Sequence, residues 1–143
     1  MQSTTTTVSP TSPEDIGKLI LRVTVGVLLL FHGVSKLIGG IGFITAMVAG
    51  AGLPPAFGYL VYIGEVVAPA LILIGFWTRP AALVVVINMI VALLLVHTKQ
   101  FFTMADTGGW ALELQALYAM VPLSLAFLGA GRYSLGGING KWN

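Results

Sequence analysis

The 143-residue chain is strongly apolar: 57% of its residues are hydrophobic and only 8% are charged, with a formal net charge of +2. Charged residues make up about 25% of an ordinary soluble domain, so the composition excludes that class and predicts an integral membrane protein. The chain has no cysteine, which excludes disulfide bonds, thiol exchange and cysteine ligation of an iron–sulfur cluster. It also contains no glycine-rich phosphate loop and no dinucleotide-binding fingerprint.

Four apolar segments determine the predicted fold. A hydrocarbon layer of about 30 Å requires roughly 20 apolar residues in a helix, and residues 16–37, 57–76, 80–96 and 110–129 reach or approach that length. We therefore predict an all-α membrane protein in which residues 16–136 form a bundle of four transmembrane helices. The alternative, a soluble bundle, would need a polar outer face on each helix, whereas residues 81–96 are apolar all round apart from Asn88.

The segments outside the spans have their own signatures. Residues 1–15 are rich in Thr, Ser and Pro and lack the basic region and cleavage site of a secretory signal, so we expect a retained, water-exposed tail. Residues 137–143 are expected to form a second short tail. Between the first two spans, residues 41–49 are apolar but too short to cross, and Pro54 and Pro55 follow them. They predict a short interfacial or re-entrant helix, or alternatively an apolar loop lying in the headgroups.

The basic residues predict the orientation of the bundle. Lys and Arg favour the cytoplasmic side of a membrane, and four spans put both termini on the same side. Only Lys36 and Lys99 fall on the opposite side. Five basic residues fall on the terminal side: Lys18, Arg22, Arg79, Arg132 and Lys141. We therefore expect both termini to be cytoplasmic.

Small residues within the spans predict close contacts between helices. Gly26 and Gly33 lie in the first span, and Gly64 and Ala68 lie in the second. Residues of this size let helix backbones approach each other in a membrane. This pattern is structural and requires no ligand.

Polar residues in or beside the apolar spans form the candidate site, because charge inside a membrane is costly and often marks function. His32 and Lys36 are one turn apart on one helical face, and Tyr62 shares a face with Glu65. The group predicts either an ion-pair network that fixes helix packing or a polar pocket that binds a ligand and handles protons. No metal site is expected. The candidates come from four helices and lie in the predicted outer half: His32, Lys36, Tyr62, Glu65, His97 and Glu113.

An ordered set of short motifs resembles the DoxX family of small bacterial membrane proteins. The resemblance covers roughly residues 19–136, with one departure at Gly136, where the family usually has Asp. The matching motifs are Arg22 with Gly26, Phe31-His32-Gly33 with Lys36-Leu37, Gly52-Leu53-Pro54, Gly64-Glu65, Leu73 with Gly75, Thr78-Arg79, Met89 with Ala92, Gly108-Gly109 with Glu113, and Gly129 with Gly131 and Ser134-Leu135.

The resemblance implies a four-helix protein of the bacterial inner membrane that is connected with quinone-linked redox chemistry. Related proteins act as membrane subunits in electron transfer from thiosulfate to quinone, and others are linked to quinone or catechol detoxification. The implied ligand is a non-covalently bound quinone, for which His32, Glu65 and Glu113 would supply hydrogen-bonding or proton-accepting groups. Lys36 would then hold a carboxylate in its ionised form.

Three functions remain open at this point. The first is a quinone-binding protein or the membrane subunit of a quinone-linked oxidoreductase. The second is a non-catalytic accessory subunit in which the charged cluster fixes helix packing, and the third is a small oligomeric transporter. The expected partners are the lipid bilayer together with other membrane or peripheral subunits or further copies of the chain, and no nucleic acid.

Overall fold

The computed structural model describes residues 12–143, so the predicted polar tail lies outside the described residues as far as position 11. The regular secondary structure of the described chain is helical, apart from an isolated β-bridge between Met104 and Trp110. The helix Pro55–Ile74 begins with a 3₁₀ turn and contains a π-helical turn at Ile63–Val67. The five main helices are α1 (Pro13–Gly39), α2 (Gly42–Gly50), α3 (Pro55–Ile74), α4 (Thr78–Val96) and α5 (Glu113–Leu128).

Within residues 12–143, three helices are long and apolar enough to cross a membrane: α1 with 27 residues, α3 with 20 and α4 with 19. They correspond to the first three predicted spans. Helix α5 has 16 residues and is about 24 Å long at 1.5 Å per residue, which is shorter than the span predicted at 110–129. The reason is local, because Trp110 belongs to the β-bridge and its indole donates to Phe101 O at 2.9 Å. The short helix predicted between the first two spans is present as α2.

Local capping explains where α1 begins. Ser12 is the N-cap residue, and its hydroxyl accepts a hydrogen bond from the Asp15 amide at 3.3 Å. Pro13 follows at the first helical position, where its missing N–H costs nothing. The helix therefore starts three residues before the predicted start at Ile16.

The helices form a bundle in which α1 and α4 each pack against both α3 and α5. Small residues permit the contacts, as predicted: a Cβ on Gly26 would lie 3.0 Å from Leu73 Cβ and 3.1 Å from Pro69 O. The faces of α4 that point away from the core are also apolar, as exposed Leu83, Ile90 and Leu94 show. The core consists of Val25, Leu29, Ala68, Ile72, Ala81, Ala82, Val85, Met89 and Leu125.

Arg22 is the most deeply buried cation among the described residues, with 1% of its surface exposed. Its Nε donates to Ile72 O at 2.8 Å and its Nη2 to Leu73 O at 2.9 Å, in the last turn of α3. Its Nη1 donates to the carbonyls of Ala130 and Tyr133, both at 2.8 Å. A helix C-terminus has unpaired carbonyls and a partial negative charge, so one guanidinium joins α1, α3 and the segment after α5.

The same end of the bundle, here called the basic end, uses a second arginine in the same way. Arg79 donates to Ala126 O and Phe127 O at the C-terminus of α5, at 3.0 and 2.8 Å, and to Asn143 O at 3.0 Å. Gly75 ends α3 with a φ of +72°, and a Cβ there would lie 2.5 Å from Arg22 Nη2. The opposite end, at Gly39 and Val96, is called the distal end.

Replacing Arg22 with Lys should destabilise the bundle. Lysine has fewer donors than the guanidinium fork, so it cannot serve four carbonyls in this geometry. We expect the free energy of unfolding to fall by about 3 kcal/mol, measured by SDS-induced unfolding of the detergent-solubilised protein followed by circular dichroism.

The matched control for this prediction is Arg132→Lys. Arg132 Nε has no hydrogen-bond partner, and its ion pair with Asp15 Oδ2 is long at 3.9 Å. This change should have little effect on unfolding. Equal, small effects of the two substitutions would contradict the role assigned to Arg22.

Candidate functional site

The distal half of the bundle contains a cavity of about 720 Å³ to which all five helices contribute. This volume lies within the range of about 300–1,000 Å³ that is typical of small-molecule sites. Its wall is mainly apolar, with residues such as Met47, Leu60 and Ile87. The polar residues in the wall are His32, Lys36, Glu65, Asn88, His97, Gln115 and Tyr118.

Glu65 is the centre of the polar part of the cavity. It is 6% exposed, and its Oε2 forms an ion pair with Lys36 Nζ on α1. Its Oε1 accepts a long hydrogen bond of 3.5 Å from Asn88 Nδ2 on α4. A buried carboxylate requires such partners, and here they connect three different helices.

The backbone of α3 is irregular at this position, because Glu65 lies within the π-helical turn Ile63–Val67. Such turns insert an extra residue into an α-helix and frequently occur at functional sites. The turn changes the helical register, so residues before and after it face directions that an uninterrupted helix would not give. Tyr62, just before the turn, points to α1, where its hydroxyl donates to Lys36 O at 3.2 Å.

Two glycines make room for Glu65 and its partners Lys36 and Asn88, here called the Glu65 cluster. A Cβ on Gly33 would overlap Glu65 O and lie 2.7 Å from Val66 Cγ2, so the glycine sets how closely α1 approaches α3. A Cβ on Gly64 would overlap the Asn88 side chain, so this glycine lets Asn88 lie against α3 and reach Glu65. The small-residue pattern therefore positions the polar cluster as well as the helices.

The structure brings four of the six predicted site residues to the cavity wall: His32, Lys36, Glu65 and His97. The His32 ring makes an edge-to-face contact with Tyr118, with 5.6 Å between ring centroids. His97 Nδ1 lies 2.8 Å from Gln100 Oε1. The Gln100 oxygen can only accept, so Nδ1 is the donor in this contact.

The other two predicted residues are not in the wall. Tyr62 supports Lys36 from behind through the carbonyl contact described above. Glu113 is exposed at the first position of α5, and its carboxylate lies beside Gly109, where a Cβ would be 2.5 Å from Glu113 Oε2. Since α5 begins only at Glu113, this side chain belongs to the turn region rather than to a face of a span.

Three polar wall residues were not among the predicted site residues: Asn88, Gln115 and Tyr118. Asn88 was visible as the one polar residue in an apolar run, but the prediction was based on ionisable groups in the spans. Gln115 and Tyr118 lie on α5, and Gln115 Oε1 is buried with no hydrogen-bond partner. A buried acceptor without a partner is costly, and Gln115 Oε1 could accept a hydrogen bond from a bound molecule.

The arrangement can bind a largely apolar molecule that carries hydrogen-bonding groups at one end. Lys36 Nζ has three protons and Asn88 Nδ2 has two, so both retain donors beyond their contacts with Glu65. Glu65 can accept a hydrogen bond or a proton. Within residues 12–143, no group of three or more His, Asp or Glu side chains is arranged to hold a metal ion.

Apolar helices of spanning length, exposed apolar faces and a charged pair buried beside a cavity define a small helical membrane protein. Its family follows from comparison with known proteins. A family model described as DoxX matches residues 17–98, which is more than half of the chain. The chain therefore belongs to the DoxX family, as its motifs predicted.

Two relatives extend this comparison. A Haemophilus influenzae protein named "Uncharacterized protein" is 31% identical over 120 residues, which cover 80% of this chain and 84% of that protein. A Bacillus subtilis protein named "Putative oxidoreductase CatD" is 32% identical over 88 residues, covering 62% of this chain and 65% of that protein, just under two thirds of its length. No solved structure matches the chain.

Replacing Gly33 with Ala should disturb the Glu65 cluster by forcing α1 and α3 apart. We expect the free energy of unfolding to fall by about 2 kcal/mol, as for other overpacked sites, measured by SDS-induced unfolding in detergent. The controls are Gly17→Ala and Gly39→Ala on the same helix, where an added Cβ meets nothing within 4 Å. Both should be neutral or stabilising by up to about 1 kcal/mol, and a Gly33→Ala protein that matched them would refute the close packing.

Proposed function

We propose that the chain binds a quinone in the distal cavity and serves as the quinone-binding membrane component of an oxidoreductase system. The observation that carries the proposal is the cavity itself, which is mainly apolar and has Glu65, Lys36 and Asn88 grouped in its wall. The oxidoreductase name of the Bacillus subtilis relative supports the redox context. Family membership and the apolar helices of spanning length support the membrane location.

The chemistry of a quinone fits the wall. The ring is apolar and carries two carbonyl oxygens, which accept hydrogen bonds and take up protons when the quinone is reduced. Lys36 Nζ and Asn88 Nδ2 would donate to one oxygen, while Glu65 would exchange a proton with it. His32 or His97 would contact the second oxygen. The two electrons would come from a partner subunit that carries a redox group.

A second candidate function is that of an accessory subunit, in which the same residues have a structural role. The observation in its favour is that the Glu65 cluster connects α1, α3 and α4, as a packing network would. In that case, loss of the Glu65 carboxylate would destabilise the fold, and the amount of quinone that copurifies with the protein would not depend on this cavity. The two candidates therefore differ in which property Glu65 controls.

The proposal includes an arrangement in the bacterial inner membrane. Helix α5 would complete a fourth crossing together with its flanking residues, and α2 would lie at the distal interface. The basic end would face the cytoplasm, because Arg22, Arg79 and Arg132 gather there with the chain segments before α1 and after α5.

A green fluorescent protein fused after Asn143 should therefore fluoresce in cells, and a C-terminal alkaline phosphatase fusion should be inactive; the reverse pattern would contradict this orientation.

Gentle purification from native membranes should yield protein with bound quinone, detected by solvent extraction and mass spectrometry. We expect Glu65→Gln to lower the quinone content by about tenfold, equivalent to about 1.4 kcal/mol of binding free energy, because Lys36 loses its anionic partner and no longer holds its position. The matched control is Glu113→Gln, since that carboxylate is exposed and outside the wall.

The outcomes separate the two candidate functions. Loss of quinone in Glu65→Gln with an unchanged unfolding midpoint supports the quinone site. Destabilisation by Glu65→Gln with the same quinone content as the wild type supports the accessory role. If only Glu113→Gln lost quinone, the quinone site would lie outside the cavity.

A further inference from the structure

The gap between α3 and α4 gives the cavity a side opening. The two helices pack closely along Ile63–Val67 and Ala68–Ile74, whereas the first turns of α3, Pro55–Tyr62, do not pack closely against α4. Leu60 and Ile63 lie on the α3 side of this gap and Ile87 and Val91 on the α4 side. All four line the cavity, and all four are exposed.

The gap is apolar and lies within helices of spanning length. Leu60 is 55% exposed and Ile87 is 60% exposed, so their outer surfaces belong to the part of the bundle that contacts lipid. Asn88 directly follows Ile87 and reaches Glu65, so the gap ends at the depth of the polar cluster, where Asn88 lies against Gly64. A molecule dissolved in the bilayer could therefore reach Glu65 without crossing an aqueous surface.

Helix α2 covers the cavity at its distal end. Phe43, Ile44 and Met47 of α2 form part of the wall there. Helix α2 packs on the start of α3, with Thr45 against Gly58, and also contacts α4, so it bounds the gap on its distal side. This cover is itself apolar. A water-soluble ligand entering from the distal side would have to displace it.

We propose that the ligand enters laterally from the bilayer through the gap between α3 and α4, and that it carries a long hydrocarbon tail that stays in the gap while the polar head reaches Glu65. The inference rests on the proposed quinone site and specifies its ligand as a membrane-pool quinone with an isoprenoid tail. Its basis is the position of Leu60, Ile63, Ile87 and Val91, which gives the tail an apolar, lipid-facing channel.

Narrowing the gap should discriminate between tailed and tail-less quinones. In nanodiscs, Ile87→Trp and Leu60→Trp should lower the binding of ubiquinone and menaquinone by about tenfold, the scale of an overpacked apolar site. The loss should be smaller for the same headgroups without tails, because they need only the polar part of the cavity, so the ratio of tailed to tail-less binding should fall. The controls are Leu83→Trp and Leu94→Trp, which are exposed on α4 but do not line the cavity.

A second variant closes the gap after folding. The chain has no cysteine, so Ile87→Cys introduces a single thiol that can be alkylated with N-benzylmaleimide in the assembled protein. Alkylation should slow the uptake of tailed quinone, whereas alkylation of Leu83→Cys should not. A folding defect cannot explain a difference produced in this way.

Each outcome bears on one claim. Unchanged binding of tailed quinones in the narrowed variants overturns the lateral route, as does an equal loss of tailed and tail-less quinones. If the wild-type protein binds neither form, the proposed function itself fails. Selective loss of the tailed forms with unaffected controls supports the inference.

Discussion

Charged groups inside this bundle have to find their partners within the chain, because surrounding lipid offers none. The structure meets this constraint in two ways at its two ends. At the basic end, the Arg22 guanidinium is matched by four main-chain carbonyls. In the distal half, the Glu65 carboxylate is matched by an ammonium and an amide from neighbouring helices. Helix positions elsewhere depend on these two matches.

The difference between the two ends has a chemical consequence. Carbonyls cannot change their protonation state, and Arg22 stays protonated under all ordinary conditions, so the basic end is fixed. Lys36 and Glu65 can both exchange protons, and they line a cavity. One end therefore anchors the bundle, while the other carries ionisable side chains beside a cavity, as the proposed quinone site requires.

Sequence patterns predicted much of the fold, because the length of an apolar segment is a local property. The first three spans, the short helix α2 and the role of Gly33 and Gly64 in close packing were accessible in this way. The start of α5 was not, because the bridge between Met104 and Trp110 depends on contacts outside the helix. Because α5 begins at Glu113, this predicted site residue lies in the turn region and not in the cavity wall.

The site was predictable only in part. Lys36, Glu65, His32 and His97 were identified from the cost of polar groups in apolar spans. The π-helical turn at Glu65 has no sequence signal that separates it from an ordinary turn of α3. The carbonyls bound by Arg22 lie 50 and 108 residues away at Ile72 and Ala130, so only the folded chain reveals that contact.

Photolabelling would test most directly whether the distal cavity beside Glu65 holds a quinone, as we propose. An azidoquinone is activated by light in the membrane-embedded protein, and the labelled peptides are mapped by mass spectrometry. We expect adducts on the wall, around Lys36 on α1, Leu60 on α3 and Ile87 on α4. Labelling confined to other lipid-facing surfaces, such as the small groove between Leu28 and Leu117, would contradict it.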